Sequence, residues 1–477
     1  MLTAMVRRNL GSRPVTIAAL LLTASCAWIA FVLSIGSIAE RKSHPSVIEQ
    51  RRIVHRPKNS TVDSELQSIV FGIAGSSGLW PRRREFVRLW WRPDAMRGFV
   101  WLEREPDREG EAIDGLPEIR VSENTLERLR DPIRGGALGH PNGVRIARIV
   151  LETFQLGLPG SIKWFVFCDD DTVFSVENLV RVLAKYDPSQ LVYIGATSES
   201  HAQNVAFSYD MAFGGAGFAI SYPLAEAIAG IQDECLQHYP QLIGSDDRLR
   251  ACIAELGVPL TREIGFHQCD VRGNAMGLLA AHPVAPFVSI HHLEFVDLFP
   301  NVDALQGARA LARSMHLHGP GFLQQAICYD RQRRLTFSIS SGYVVQVFPE
   351  IVFPKVLQKA EITFSAWNHK RHSREFDLDS RNSFWICKQP FLFFADAQER
   401  DPEGRIESYY QRYTSSKMMC WSQAKLPGMI RVVAQPLHSD WYKAPRRQCC
   451  QIGDWDDGET VKVNMTNCRP GESIVPF

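Results

Sequence analysis

"WFVFCDDDTVF", residues 164–174, joins an apolar run to three consecutive aspartates. The run Trp164–Cys168 predicts a buried β-strand, because it lacks the polar alternation of a half-exposed strand. Three carboxylates at the end of such a strand repel one another unless a cation neutralises them. Open α/β sheets bind ligands at the carboxyl ends of their strands, and Mg²⁺ and Mn²⁺ prefer oxygen ligands. The stretch therefore predicts an α/β fold with a divalent-metal site, rather than a solvated acidic turn.

Strand and helix patterns alternate on both sides of this stretch. Strand patterns occur at 69–74, 98–105 and 191–195, and helical spacing occurs at 144–154 and after Ser175, Pro223 and Ser245. This order predicts an α/β domain with a mostly parallel central sheet that is covered on both faces. From about residue 310 the pattern changes, and "LTFSISSGYVVQVFP" at 335–349 predicts a smaller region that is richer in β-structure.

The N-terminal segment predicts a single membrane helix. Residues 15–39 carry no charge and are long enough to cross a bilayer core of roughly 30 Å. A cleaved signal peptide is the competing interpretation, but the apolar run exceeds its usual length of about 7–15 residues. Two glycosylation sequons, at 59–61 and 464–466, and five cysteines in the last quarter favour a body in the secretory lumen.

Charge and cysteine content narrow the possible partners. Lys plus Arg number 53 and Asp plus Glu number 52, so the chain has no large positive net charge that would attract nucleic acid. We therefore expect a small or neutral partner. The late cysteines predict a disulfide-braced C-terminal region whose pairing the sequence leaves open. Cys168, inside the core strand, is expected to be a packed free thiol.

Two chemistries suit the acidic triplet. In a nucleotide-sugar transferase, Asp171 binds a metal that holds the donor diphosphate, while Asp169 and Asp170 contact the ribose or metal-bound waters. In a phosphohydrolase, Asp169 is the nucleophile and Asp171 the acid/base, with the pair Asp246-Asp247 as a second acidic motif. About 100 residues of α/β sequence precede the triplet, whereas the hydrolase motif belongs on a first strand. Glycosyl transfer therefore fits better.

Three later motifs supply further candidates. Asp247, with Asp246 beside it, is the candidate base for the acceptor hydroxyl, although acids in a helix's first turn also complement its dipole. Gly214, Gly215 and Gly217 in "FGGAGFAIS" permit a tight backbone close to a sugar. The adjacent residues His291 and His292 point to different faces of a strand, so one is available as a metal ligand while the other packs.

Several motifs resemble the plant Fringe-like glycosyltransferases, a group related to Fringe and other β-1,3-glycosyltransferases of family thirty-one. The resemblance runs from about Ser68 to the C-terminus. It is carried by "FGIAGSSGLWPRRREFVRLWW" (71–91), "KWFVFCDDDTVFSVENLVRVLAKYD" (163–187), "YIGATSESHAQN" (193–204), "AFGGAGFAIS" (212–221), "GSDDRLRACIAELGVPLTREIGFHQCDVRGN" (244–274), "LLAAHPVAPFVSIHHLE" (278–294) and "RRQCC" (446–450).

The resemblance implies a nucleotide-diphosphosugar transferase fold of the GT-A type, a UDP-sugar donor, a glycan or glycoconjugate acceptor, Mn²⁺ and a type II Golgi membrane protein. It implies Asp171 and His292 as metal ligands and Asp247 as the catalytic base of an inverting transfer. Asp169 and Asp170 would contact the nucleotide or metal waters, and Gly214, Gly215 and Gly217 would line the donor and acceptor site. The expected β-1,3 linkage is taken from the related enzymes.

The predicted organisation is a cytosolic tail (1–14), a transmembrane signal anchor (15–39), a stem (40–62), a catalytic domain of Fringe type (63–309) and a cysteine-containing C-terminal region (310–477). The alternative from another functional class is a non-catalytic binding or scaffold protein that has kept the fold. Loss of the carboxylate of Asp247 distinguishes the two, because a scaffold does not need a base.

Overall fold

The computed structural model describes residues 60–106, 115–125, 129, 140–367, 375–414, 426–456 and 459–475. The helices in this part are α1 (Ser60–Leu66), α2 (Trp80–Val87), α3 (Pro141–Gln155), α4 (Val176–Leu183), α5 (His201–Ala206), α6 (Tyr222–His238), α7 (Ser245–Glu255), α8 (Met276–Leu279), α9 (Ala304–His318) and α10 (Pro354–Leu357). Short 3₁₀ helices occur at Leu293–Phe295, Gly319–Gly321, Ile386–Lys388 and Trp441–Lys443.

The strands before residue 310 are β1 (Ile69–Ala74), β2 (Arg97–Leu102), β3 (Glu118–Val121), β4 (Trp164–Asp169), β5 (Val173–Phe174), β6 (Tyr193–Gly195), β7 (Phe218–Ser221), β8 (Leu260–Arg262), β9 (Phe266–His267), β10 (Val271–Asn274), β11 (Ser289–Ile290) and β12 (Val296–Asp297). The later strands are β13 (Gln325–Asp330), β14 (Leu335–Ser340), β15 (Val344–Phe348), β16 (Ala360–Glu361), β17 (Phe364–Ala366), β18 (Ser380–Arg381), β19 (Phe391–Arg400), β20 (Ile406–Arg412), β21 (Met429–Ala434), β22 (Cys449–Asp456) and β23 (Thr460–Thr466).

The first sheet has seven strands in the order β3-β2-β1-β4-β7-β6-β8. The neighbours β2–β3, β1–β2, β1–β4 and β6–β8 are parallel, whereas β7 runs antiparallel to both β4 and β6. The predicted α/β class and mostly parallel sheet are therefore confirmed. The strand that carries the acidic triplet, β4, lies at the centre of this sheet and follows three other strands along the chain.

Both faces of the first sheet are covered by apolar side chains. On one face α3, α6 and α7 form a core against Phe165 and Phe167 of β4, with Ile149 from α3 and Leu249 from α7 among the buried residues. On the other face Phe71, Trp90 and Phe174 pack ring against ring at centroid distances of 5.1 to 6.2 Å. These layers explain why β1 and β4 are continuous apolar runs.

The second sheet has eight strands in the order β13-β14-β15-β19-β20-β21-β23-β22, and its neighbours are antiparallel except for β21 and β23. Its first and last strands, β13 and β22, contact each other, and the disulfide Cys328–Cys450 joins them with Cα atoms 5.6 Å apart. The sheet therefore curls until its two edges meet, and the predicted β-rich region after residue 310 is confirmed.

The disulfides agree with the predicted bracing of the C-terminal region. Besides Cys328–Cys450, a second bond joins Cys449 to Cys468, and Cys387 is also disulfide-bonded. Cys168 is a buried free thiol, as predicted. The sequence analysis did not foresee the bond Cys235–Cys252, which ties α6 to α7.

The predicted anchor, residues 15–39, the tail and most of the stem lie outside the described residues. Within the described ranges no helix combines the length and the apolar composition needed to cross a bilayer. The boundary at residue 310 stays a prediction, and the two large sheets belong to one compact unit.

Candidate functional site

The acidic triplet lies in a tight turn at the carboxyl end of β4. Thr172 Oγ1 accepts a hydrogen bond from Asp169 N (3.1 Å) and donates one to Gly215 O (2.7 Å). The indole Nε1 of Trp90 donates to Thr172 O (2.9 Å). These bonds hold the chain that carries the three carboxylates against the glycine-rich turn before β7.

A short strand pairing brings a histidine to this turn. Strand β11 pairs with β5 so that Ile290 lies opposite Val173, and the next residue, His291, therefore reaches the triplet. His291 Nε2 lies 3.0 Å from Asp171 Oδ1 and 3.5 Å from Asp169 Oδ2. The possible ligand atoms of Asp169, Asp171 and His291 all lie within 4.8 Å of one another. This metal-candidate group is the principal site in the described part of the chain.

Burial differs within the metal-candidate group. The side chain of Asp171 is fully buried, whereas that of Asp169 is 37% exposed. Solvent and a substrate can therefore approach the group from the side of Asp169. Burial alone would raise the pKa of Asp171, but the nearby His291 and Arg83 outweigh it and hold that pKa below its usual range. Burial lowers the pKa of His291, but Asp171 and Asp169 outweigh it and raise it to about 9.

Asp170 is not part of the metal-candidate group and shares an arginine with Asp171. Arg83, on α2, donates through Nη1 to Asp170 Oδ1 (3.1 Å) and lies through Nη2 at 3.0 Å from Asp171 Oδ2 and 3.2 Å from Glu294 Oε2. Asp170 is only 1% exposed, and burial together with the charge of Asp171 raises its pKa to about 7. Its predicted contact with a donor stays a prediction.

The sequence analysis expected the two adjacent histidines to point to different faces of a strand, but their rings stack on each other at a centroid distance of 3.7 Å. Strand β11 ends at Ile290 and His292 has a left-handed backbone with φ of 56°, so the alternation of a strand does not apply to this pair. His292 Nδ1 lies 3.2 Å from Asp270 Oδ1, and its ring stacks on Trp367 at a centroid distance of 4.4 Å. The metal-candidate group thus contains His291 and not His292, and the ligand role of His292 stays a prediction.

The glycine-rich turn lies against the side chains of the site. A Cβ at Gly214 would lie 2.5 Å from Asp246 Oδ1, and one at Gly215 would overlap the ring of His291. Gly217 has a φ of +84°, which disfavours a side chain. Gly214 and Gly215 therefore allow the backbone to approach Asp246 and His291, while a role in contacting sugar stays a prediction.

The paired acids at the start of α7 have different surroundings. Asp246 accepts hydrogen bonds from Gly214 N (2.8 Å) and Ser245 Oγ (3.1 Å), and with Asp169 it lines one small cavity. Asp247 is half-buried, which raises its pKa, and the charge of Arg248 opposes this rise. No described residue donates a hydrogen bond to its carboxylate. Asp247 therefore retains free acceptor positions, and Asp246 is already engaged.

The sequence analysis missed three residues that shape the site: Arg83, Asp270 and Trp367. Arg83 had a signal, because it lies in a basic run, Arg82–Arg84, close after the first strand, and a basic residue is a natural partner for an acidic triplet. Asp270 and Trp367 contact His292 only because of the tertiary fold, so no local sequence pattern could predict these two contacts.

A family model described as "Protein of unknown function, DUF604" matches residues 203–450, more than half of the chain. This chain belongs to the DUF604 family. The match begins in α5 and extends through α7 and the two histidines into β22. The match therefore includes the candidate base and the glycine-rich turn. It covers the strands of the first sheet that follow β6 and most of the second sheet.

Curated relatives of this DUF604 protein are glycosyltransferases. A β-1,3-glucosyltransferase of Mus musculus is 33% identical over 150 residues, covering 31% of this chain and 30% of that protein. A β-1,3-glucosyltransferase of Homo sapiens is 29% identical over 119 residues, covering 25% and 23%. The β-1,3-N-acetylglucosaminyltransferase radical fringe of Gallus gallus is 36% identical over 74 residues, covering 13% and 20%.

These matches span less than a third of each relative's own length. Together with the family match they confirm the predicted resemblance to Fringe-like β-1,3-glycosyltransferases. The narrower assignment to the plant group stays a prediction.

Proposed function

We propose that this protein is a metal-dependent, inverting glycosyltransferase that moves a sugar from a UDP-sugar to a glycan or glycoconjugate acceptor. The observation that carries the proposal is the cluster of Asp169, Asp171 and His291 at the carboxyl end of the central strand β4. Ligands bind at this edge of open α/β sheets. We further propose that the first sheet and its helices form a GT-A-like nucleotide-diphosphosugar transferase domain.

The residues present fit a divalent cation. Both carboxylate oxygens of Asp171 are buried, and only cationic or metal-ligating groups approach them: Arg83 Nη2 lies 3.0 Å from Oδ2 and His291 Nε2 lies 3.0 Å from Oδ1. A cation bound here would take the place of these ion-pair contacts. Two carboxylates and one imidazole suit Mn²⁺, which leaves further coordination positions for phosphate oxygens and water. When bound, the cation neutralises the charge of the leaving diphosphate. We propose Asp169, Asp171 and His291 as its protein ligands.

The acceptor hydroxyl needs a base on the side away from the diphosphate. We propose Asp247 for this role, because its carboxylate has free acceptor positions and its raised pKa strengthens it as a base. Asp246 then acts as a positioning residue, since its bond to Gly214 N fixes the turn beside His291. Asp170 is proposed to keep Arg83 next to the donor phosphates rather than to bind the metal.

The finer assignments rest on the relatives and the sequence. The names of the relatives support a β-1,3 linkage, and the uncharged segment 15–39 supports a type II anchor in the Golgi membrane with the body in the lumen. The disulfides in the described body are consistent with an oxidising compartment.

The test is calorimetric titration of the full chain, in mild detergent, with UDP and a panel of UDP-sugars, in Mn²⁺ and in chelator. We expect binding that requires Mn²⁺ and disappears in Asp171→Ala. The matched control is Asp94→Ala, which removes an exposed carboxylate from another part of the surface. Absence of binding to every nucleotide in a folded protein would favour the non-catalytic scaffold instead.

A further inference from the structure

A second cavity, of about 250 Å³, lies beside β8, the edge strand of the first sheet. Its walls come from the loop after β6, from β9, from α8 and from the chain around β16 and β18. Small-molecule sites usually measure about 300–1,000 Å³, so this cavity, slightly below that range, has room for at most one small ligand. It is too small for a nucleotide-sugar, and none of the residues of the metal-candidate group lines it.

The floor of this cavity carries buried polar atoms that lack partners. His267 lines the cavity and is 6% exposed. Glu199 Oε1 lies 3.0 Å from its Nδ1, and its Nε2 has no hydrogen-bond partner among the described residues. His282, 2% exposed, has no partner in the described chain for its Nε2 either. Burial lowers the pKa of His282 well below its usual value, so its ring is neutral. Buried polar atoms normally have hydrogen-bond partners, so the Nε2 atoms of His267 and His282 indicate that a ligand binds here.

The mouth of the cavity is polar and mostly acidic. Arg262, Asp377 and Asp379 stand at the surface, with the amide of Gln358 beside them. With Glu199 on the floor, carboxylates outnumber the one arginine, and this balance disfavours phosphates and other anions. The wall also includes apolar side chains, Ile264 and Leu279 among them. A ligand therefore needs both hydrogen-bond donors and acceptors, no negative charge and some apolar surface.

A series of polar contacts connects this cavity to His292 beside the metal-candidate group. Ser198, in the cavity wall, donates through Oγ to Asp270 Oδ2 (2.7 Å), and Asp270 Oδ1 lies 3.2 Å from His292 Nδ1. His292 in turn stacks on His291 at a centroid distance of 3.7 Å. The cavity is thus linked to His291 of the metal-candidate group through Ser198, Asp270 and His292.

We propose that this cavity is a binding site for one neutral monosaccharide unit, separate from the donor site. Sugar hydroxyls both donate and accept hydrogen bonds, so they satisfy the imidazoles of the floor and bind Asp379 and the amide of Gln358 at the mouth. Asp377, by contrast, is already engaged by Asn204 and His201. The apolar faces of the ring contact Ile264 and Leu279. This binding requires neither a nucleotide nor a metal, and it therefore stands apart from the proposed transfer reaction.

The test is saturation-transfer difference NMR of the full chain, in a detergent without sugar headgroups, with glucose, galactose and N-acetylglucosamine as ligands and inorganic phosphate as a competitor. We expect signal from at least one sugar, and we expect excess phosphate, chelator and Asp171→Ala to leave that signal unchanged. His282→Phe should abolish the signal by filling the floor. Because this variant can fail to fold, Gln358→Ala and Asp379→Asn at the mouth provide a second measure and should each weaken binding several-fold.

Glu118→Gln is the control, because it removes an acid from the opposite edge of the first sheet. Absence of signal from every sugar, or signal that the mouth variants leave unchanged, overturns the proposal. Signal that disappears with chelator assigns the sugar to the metal-candidate group and also overturns it. Failure of the UDP-sugar titration leaves this result unaffected, so the two proposals fail separately.

Discussion

His291 Nε2 lies 3.0 Å from Asp171 Oδ1, although the two residues are distant in the sequence. Their contact depends on two-residue strands: β11 places Ile290 opposite Val173 of β5, and the residues that flank this pair then meet. His292 follows directly but leaves the strand with φ of 56°. Of the two neighbouring imidazoles, His291 therefore joins Asp169 and Asp171, while His292 Nδ1 lies 3.2 Å from Asp270 Oδ1.

The first prediction separates these two histidines. His291→Ala should weaken Mn²⁺-dependent UDP binding more strongly than His292→Ala, because only His291 lies within ligand distance of Asp169 and Asp171. Removal of a residue that supports a ligand typically costs about 10–100-fold in metal affinity, and we expect His292→Ala to stay in that range. Calorimetry with Mn²⁺ and UDP measures both. Equal losses, or a larger loss for His292→Ala, would restore His292 as the ligand.

The second prediction concerns the acids of α7. Asp247→Asn should lower kcat by about 10²–10⁴-fold with little change in UDP-sugar affinity, because a base acts on the acceptor and not on donor binding. Glu255→Gln, near the other end of the same helix, is the control. Steady-state kinetics with donor and acceptor varied in turn give the two constants. An Asp247→Asn protein with normal kcat contradicts the assignment.

Asp246→Asn tests the positioning role within the same assay. Its carboxylate accepts a hydrogen bond from Gly214 N, so its loss disturbs the turn that packs on His291. We expect donor affinity and kcat to fall together. A change confined to kcat would instead indicate that Asp246 is the base.

The third prediction uses two glycines. Gly215→Ala places a Cβ on the ring of His291, and overpacking of this kind typically costs about 1–3 kcal/mol in the free energy of unfolding. Gly230, within α6, faces open space, and Gly230→Ala should stabilise the protein by up to about 1 kcal/mol because alanine favours the helix. Urea unfolding measures both. If Gly215→Ala has wild-type stability, the turn is not packed as described.

The fourth prediction is a pH dependence far from the metal-candidate group. Burial raises the pKa of Glu152 from 4.5 to about 7, despite the ion pair that it forms with Arg148 at 2.9 Å. Between these values the folded protein holds a proton that the unfolded chain has released, so this group's contribution to stability falls as the pH rises. Glu152→Gln removes the titrating group while it keeps an oxygen that can accept from Arg148.

The stability of Glu152→Gln relative to wild type should therefore rise as the pH increases from about 4.5 to about 7 and level off above that. Thermal melting across this range measures the difference. Glu118→Gln, at the exposed edge strand, serves as the control and should show no comparable trend. A flat difference for Glu152→Gln would mean that Arg148 keeps the carboxylate ionised.

Much of the first sheet could be predicted because its buried strands are continuous apolar runs. The run 69–74 coincides with β1, and the run 164–168 is β4 without its last residue. The antiparallel direction of β7 could not be predicted, since apolar composition does not encode direction. The helix pattern after Ser245 was found, but nothing in it indicated that Cys252 pairs with Cys235 on α6.

The sequence was sufficient to predict which residues form the site, but not all of the contacts between them. The triplet, the glycine turn and the acidic pair are local motifs, and the structure brings Asp169, Asp171, Gly214 and Asp246 into one region. The choice between adjacent histidines was not local, because it depends on the β5–β11 register and on Trp367, which stacks on His292 from a distant segment.

The bond between Cys328 and Cys450 has a consequence for biosynthesis. The two cysteines are 122 residues apart, and at about 5–20 residues per second a ribosome needs roughly 6–24 s to deliver the second after the first. During that interval β13 already exists, but the strand that meets it does not, so the nascent chain presents an open strand edge of the kind that recruits other chains. The edges of the C-terminal sheet can therefore be joined only after nearly the whole polypeptide has been made.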